Sequence, residues 1–435
     1  MTSVDMNLPP FREPGYVEPK IEVEHRADGS ILLRNPHPLR PAPGNLIEPI
    51  RRWATEAPDR TWLGKRKVVN EGLGDWDLLT YAEANAKVNA IAQALLDRGL
   101  DQSTPVMILS GNSIEHALMT YGAILAGVPA APVSPSYSTM SSDFDKLRYV
   151  FNLLEPKLIF MQEAAPFERA LKALPLDGVE LVTVDGSMGT PFATLLETAP
   201  GEAVEKSYAG LHGDMVAKYL FTSGSTGMPK AVITTQRMMC VNSIMPKSVT
   251  REEENEEPAV LLNWLPWNHC FGGNAILNNL LTGGGTLYID GGRPVPGGFA
   301  ETVQNLREIA PTAYSNVPAA YTMLVDELEN DDALAKNFFS RVRTLAYGGA
   351  ALSQNLYDRI QKVAIRTVGE RIVFSSGYGA TETAPTICNV HWPTERMGLL
   401  GLPLPGIELK LAPVGQKMEV RVRGDCITKG YYNNP

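Results

Sequence analysis

The chain has 435 residues, enough for a large core and for two or three domains or lobes, and its 44% hydrophobic content is that of an ordinary globular protein. A formal net charge of −9 without a compensating basic tract argues against nucleic acid or an anionic membrane surface as the main partner and points to small molecules. Cys240, Cys270, Cys388 and Cys426 lie far apart with neither pairing nor metal spacing, which predicts reduced thiols in a cytoplasmic protein, and no signal peptide is expected.

Residues 1–44 combine prolines and charges with little periodicity and read as a wrapping or partly disordered arm. After it, Leu46, Ile50 and Trp53 share one helical face, and Pro58 follows its end. Thr80 with Glu83 is a capping-box signature for a helix that Gly99 stops. The pattern then predicts strands over 106–109, 130–133, 158–161 and 180–184, alternating with helices over 113–125, 143–154 and 166–174. Residues 117–142 carry no charge, yet Gly127, Pro129, Pro132 and Pro135 interrupt them, so no apolar run approaches the roughly 20 residues of a membrane-crossing helix. The alternation defines a first α/β lobe over 45–200, its mostly parallel sheet covered by helices on both faces.

A polar connection leads into a second α/β lobe over 201–390. Strands are expected over 215–221, 231–235, 260–264, 286–289, 312–315, 344–347 and 372–375, with helices over 272–281, 300–309, 319–329 and 353–365. Past His391 short strands at 407–411 and 419–423 predict a small, mainly β end piece over 391–435.

The second lobe opens on Thr222, Ser223, Gly224, Ser225, Thr226, Gly227, Met228, Pro229 and Lys230. Hydroxyls, backbone amides and a cation in one loop suit a polyanion such as a triphosphate. A Walker-type loop needs glycine before its lysine and a helix after it; here Pro229 precedes Lys230 and a strand is expected to follow, which argues against a standard P-loop NTPase. In Tyr378-Gly379-Ala380-Thr381-Glu382 the glycine lets backbone approach a ligand, the ring offers a purine a flat face, Thr381 a hydroxyl and Glu382 a hard oxygen for Mg2+. A strand-end turn around a packed tyrosine would look the same.

The phosphate loop and the Tyr378–Glu382 turn resemble those of the adenylate-forming superfamily of acyl-CoA synthetases, luciferases and nonribosomal adenylation domains. That resemblance implies that Gly349, Ala350 and Ala351, after the strand ending in Tyr347, line the adenine side. It also places His269 in an aromatic-histidine motif, facing a carboxylate or acyl-phosphate oxygen, and puts Phe271, Gly273 and Asn274 at the border of an acyl pocket closed by Tyr378 and Gly379. Core packing would equally explain His269 and Phe271. The implied reaction joins a carboxylate to the α-phosphorus of ATP, with His269, Lys230, Thr381 and Glu382 as the catalytic set, and a thiol then displaces AMP.

Segments such as Trp264-Leu265-Pro266-Trp267-Asn268-His269 and Ala380-Thr381-Glu382-Thr383-Ala384-Pro385 look like feruloyl-CoA synthases, which implies an aromatic acid as substrate and CoA as acceptor. Ala231, Gln236 and Tyr378 depart from the usual glycine, histidine and leucine. The family's ribose-binding aspartate, hinge and lid domain with its second lysine are expected beyond Pro435, which predicts a chain nearly inactive in the overall reaction. An adenylation domain serving a carrier protein and a non-catalytic ATP or acyl-AMP binder stay open as alternatives, as does a homodimer.

Overall fold

The computed structural model describes residues 8–69, 72–223, 227–252 and 257–433. The architecture is mixed α/β, and four sheets run through the described residues. In the largest, strands Ala130–Pro132, Val106–Leu109, Leu158–Met161 and Glu180–Thr183 pair in parallel. Their apolar runs follow from burial on both faces. Val106, Ile108, Leu158 and Phe160 join one core with helices Tyr81–Asp97 and Ile114–Leu125, while Met107, Leu109, Ile159 and Met161 join another with helix Asp145–Leu154. This is the two-residue period of a strand sorted onto two helical layers.

The expected capping box is present: Thr80 accepts from the Glu83 amide and the Glu83 carboxylate accepts from the Thr80 amide. Gly99 follows the helix with φ +69°. Pro166 sits in a 3₁₀ turn, so the helix expected over 166–174 shrinks to Glu168–Leu171.

The boundary read at residue 200 does not divide the sheets. The antiparallel hairpin of Val216–Ser223 and Pro229–Thr235 completes the first sheet, with Lys218 beside Ala130. Conversely Thr61–Arg66 pairs in parallel with Thr286–Ile289, so an early segment lies in a sheet with Val260–Asn263. Pairing between strands so distant in sequence leaves no local signal. Thr312 N–H donates to Val260 O at 2.9 Å, which brings that sheet alongside a third, made of parallel Ala313–Asn316, Thr344–Tyr347 and Val373–Gly379 extended antiparallel by Thr386–Asn389. Helices Pro318–Asn330, Asp332–Arg341 and Gln354–Val368 share its core.

The arm wraps. Arg12 donates to Phe339 O and Val342 O, and Tyr16 bridges to Thr250. It also carries a hairpin, Glu22–His25 with Ile31–Arg34, which forms a fourth, antiparallel sheet with Glu408–Val414 and Lys417–Arg423. Its mostly exposed residues hid the first of those strands from an apolar-pattern reading. Among the described residues no helix is long and apolar enough to cross a membrane.

Candidate active site

Parallel strands in an open α/β sheet leave a crevice beyond their carboxyl ends. Here Thr344–Tyr347 and Val373–Gly379 end at a cavity of about 700 Å³. Thr222, Lys230, His269, Phe271, Gly349, Tyr378, Gly379, Thr381 and Glu382 all line it. Residues expected from four separate stretches therefore meet at one place.

The phosphate side follows from strand register. Thr222 lies directly opposite Lys230 in the hairpin, and opposed residues of an antiparallel pair share a face. Gly227 has φ +81°, a turn conformation suited to glycine. Gly224, Ser225, Thr226 and the side chain of Ser223 lie outside the described residues. Lys230 Nζ stands 4.8 Å from the centre of the Tyr431 ring, and the Tyr431 hydroxyl donates to Glu382 Oε1 at 2.8 Å. The Thr381 hydroxyl donates to Cys270 Sγ at 3.4 Å, and burial pushes that thiol up, keeping it protonated.

The aromatic-histidine segment follows strand Val260–Asn263 and enters a π-helical turn, Phe271–Ile276, ahead of helix Leu277–Thr282. The Phe271 amide donates to His269 Nδ1 at 3.2 Å. Nδ1 is thus an acceptor and the neutral ring carries its proton on Nε2. Burial lowers the affinity of His269 for a second proton. The residue therefore offers an N–H donor without a full positive charge.

Five expected residues among those described are not in the cavity lining: Gly227, Gly273, Asn274, Ala350 and Ala351. A Cβ on Gly273 would lie 2.3 Å from the Trp267 carbonyl oxygen, so this glycine serves close packing of backbone on backbone. Asn274 is 2% exposed, and its Oδ1 accepts from Lys218 Nζ at 3.3 Å. The resemblance puts both at the acyl pocket, whereas in the structure both are buried within the π turn. Ala350 and Ala351 are exposed beyond the cavity, whereas Gly348 and Gly349 line it.

A family model described as AMP-binding enzyme matches residues 50–432. The chain belongs to the AMP-binding enzyme family. Among relatives, it is 27% identical over 380 residues to a 4-coumarate-CoA ligase from Narcissus pseudonarcissus, covering 82% of this chain and 64% of that protein. The chain thus spans under two thirds of the length of that relative. Among solved structures, a long-chain-fatty-acid-CoA ligase from Archaeoglobus fulgidus superposes with a TM-score of 0.72 at 18% identity, over 95% of this chain and 80% of that one. A benzoate CoA ligase from Burkholderia xenovorans gives 0.70 at 18%, over 90% and 73%. These two likenesses carry the fold, which is that of an acyl-CoA synthetase-like large domain.

Sequence reading missed several residues that line this cavity or lie behind it. Tyr431 stands in Gly-Tyr-Tyr-Asn-Asn, where nothing local marks it, and only its addition to the edge of Pro229–Thr235 brings it to Lys230. Asn389 lines the cavity and accepts from the Ser375 hydroxyl at 3.0 Å. Lys218, fully buried on strand Val216–Ser223, donates to Gly273 O at 3.0 Å. A lysine inside an apolar strand was the available signal. Of the departures noted in sequence, Gln236 is buried and its Oε1 accepts from the Leu46 amide, while the Ala231 carbonyl accepts from the Tyr432 amide. Both residues are absorbed by packing.

Proposed function

We propose that the cavity binds ATP with Mg2+ and a carboxylic acid of aromatic, feruloyl or cinnamoyl type, and joins them as an acyl-adenylate. The carrying observation is the convergence of Thr222, Lys230, Thr381 and Glu382 with His269 on one cavity of about 700 Å³. A hydroxyl pair and an ammonium suit phosphates, and a half-exposed Tyr378 offers its ring at the rim. Cavity size fits a nucleotide and an aryl group together.

In this reading a carboxylate oxygen attacks the α-phosphorus, the bond from that phosphorus to the α–β bridging oxygen breaks, and pyrophosphate leaves. Lys230 and the Thr222 hydroxyl hold the departing phosphates. His269 donates from Nε2 to the acyl oxygen, and its neutral state avoids a fixed ion pair with the substrate carboxylate. Thioester formation follows when the CoA sulfur bonds to the acyl carbon and the acyl C–O bond to AMP breaks.

The donor set fits magnesium. Among the described residues no cluster of three His, Cys, Asp or Glu side chains could hold a metal, and Glu382 brings one carboxylate with Oε2 unpartnered among them. A hard cation bound mostly by phosphates and water needs little more from protein. When bound it would offset the charge of the triphosphate.

The family assignment supports nucleotide chemistry, and the 4-coumarate-CoA ligase likeness supports an aryl acid. Exchange of labelled pyrophosphate into ATP, run over a panel of aromatic and aliphatic acids, tests the reading. Exchange that depends on a cinnamic-type acid is expected; exchange only with long aliphatic acids overturns the substrate class, and none with any acid overturns the activity.

A further inference from the structure

Lys230 and Glu382 both line the cavity and carry opposite charges, yet no ion pair joins them among the described residues. Tyr431 engages each one instead. Its ring lies under the Lys230 ammonium, 4.8 Å from centroid to Nζ, inside the range of a cation–π contact. Its hydroxyl donates to Glu382 Oε1 at 2.8 Å.

The placement of Tyr431 is built by backbone. Strand Pro229–Thr235 is an edge of the seven-stranded sheet, and residues 430–432 cover that edge. Ile233 N–H donates to Gly430 O at 3.2 Å, Tyr432 N–H donates to Ala231 O at 2.8 Å, and Tyr431 bridges Val232. Successive side chains of an extended segment point to opposite faces. Tyr432 accordingly packs on Tyr219, ring centres 4.6 Å apart, while Tyr431 faces the cavity. Thr428 N–H donates to Glu382 O at 2.9 Å, so the same segment is stitched to the backbone of the turn that carries the carboxylate.

We propose that Tyr431 is a positioning residue that keeps Lys230 and Glu382 from neutralising each other, fixing the carboxylate with Oε2 left for the cation that accompanies ATP and leaving the ammonium for phosphate. A glutamate side chain has three rotatable bonds, and a hydroxyl donor selects one rotamer from many. A phenol suits the task because its face attracts a cation, its hydroxyl attracts an anion, and it is itself neutral. Hydrogen bonding to Glu382 raises the Tyr431 hydroxyl above its ordinary range, consistent with a phenol that stays protonated. This inference rests on the MgATP reading above.

The test measures ATP affinity by calorimetry on the full chain, with and without Mg2+, and takes the ratio of the two. Tyr431→Phe keeps the ring and its packing but removes the hydroxyl, and should lower that ratio about tenfold, as should Glu382→Gln. Adding Tyr431→Phe to Glu382→Gln should lower it no further. A ratio within twofold of the parent in Tyr431→Phe overturns the inference while leaving the MgATP reading in place. So does an equal drop in both backgrounds, which is the sign of a structural role. A parent chain whose ATP affinity ignores magnesium removes both.

Discussion

Thr222 and Lys230 stand directly opposite each other across one antiparallel hairpin, and both side chains line the same cavity. The loop between them is thereby bounded on each side by a group that can bind phosphate. The two residues act on one ligand rather than on two.

Replacing Lys230 by methionine, or Thr222 by alanine, should therefore weaken ATP binding without unfolding the chain. A hydrogen bond to a charged group contributes about 1.5–3 kcal/mol, so a loss of roughly 10- to 100-fold in affinity is expected for either change. Calorimetric titration with MgATP checks this. Affinity unchanged in both variants, with the circular dichroism spectrum intact, would remove the phosphate assignment.

Gly273→Ala should act through stability and not through substrate choice. Its new Cβ would meet the Trp267 carbonyl oxygen at 2.3 Å, and that oxygen belongs to backbone that cannot swing away. Overpacking of this kind costs about 1–3 kcal/mol, read as a lower urea midpoint at unchanged slope. A variant of full stability that had lost only aromatic acids would instead return Gly273 to the acyl pocket.

The strands over 106–109 and 158–161 were legible to the residue because burial on both faces demands continuous apolar runs. Their partners were not, since parallel pairing joins segments distant in sequence. Hairpin strands Thr61–Arg66 and Trp76–Thr80 were missed because Lys65, Arg66 and Asp77 interrupt their pattern. In the site, Thr222, Lys230, Thr381 and Glu382 were legible from their chemistry, whereas Asn389, at the end of strand Thr386–Asn389, was not. The resemblance put Gly273 and Asn274 at the acyl pocket, whereas Gly273 packs backbone on backbone against Trp267 and the Asn274 side chain accepts from Lys218 within a π turn. Tyr431 needed the sheet edge to be known.

Acid should destabilise the fold through His116. Its Nδ1–H donates to Gly111 O at 2.9 Å in a buried site, and burial lowers its pKa to about 4, with Lys218 and Lys65 adding repulsion. A depressed pKa means that the unfolded chain takes the proton first. The stability that this group contributes is present above about pH 6.5 and is lost as pH falls toward 4, about 3 kcal/mol in all. Denaturant titrations from pH 7 to 4 should show a smaller loss for His116→Gln; an identical loss would assign the acid sensitivity elsewhere.

Lys218 should give the fold a slope on the alkaline side. Burial lowers its pKa to about 7, so between pH 7 and 8.5 the unfolded chain holds the extra proton and stability rises with pH, by up to about 1.4 kcal/mol per unit. Lys218→Met should flatten that rise while leaving Gly273 O and Asn274 Oδ1 without their donor. A slope unchanged in the variant would mean that Lys218 is not its source.

The central claim is that one cavity holds the nucleotide and an aryl group together, and binding of unreactive acyl-sulfamoyl adenosines to this chain measures it most directly. A cinnamoyl-type analogue should bind at least about tenfold more tightly than either adenosine monophosphate or a dodecanoyl analogue, because only it fills both halves of a cavity bordered by Phe271 and Tyr378. A cinnamoyl analogue that binds no better than adenosine monophosphate, or worse than the dodecanoyl one, would contradict the account.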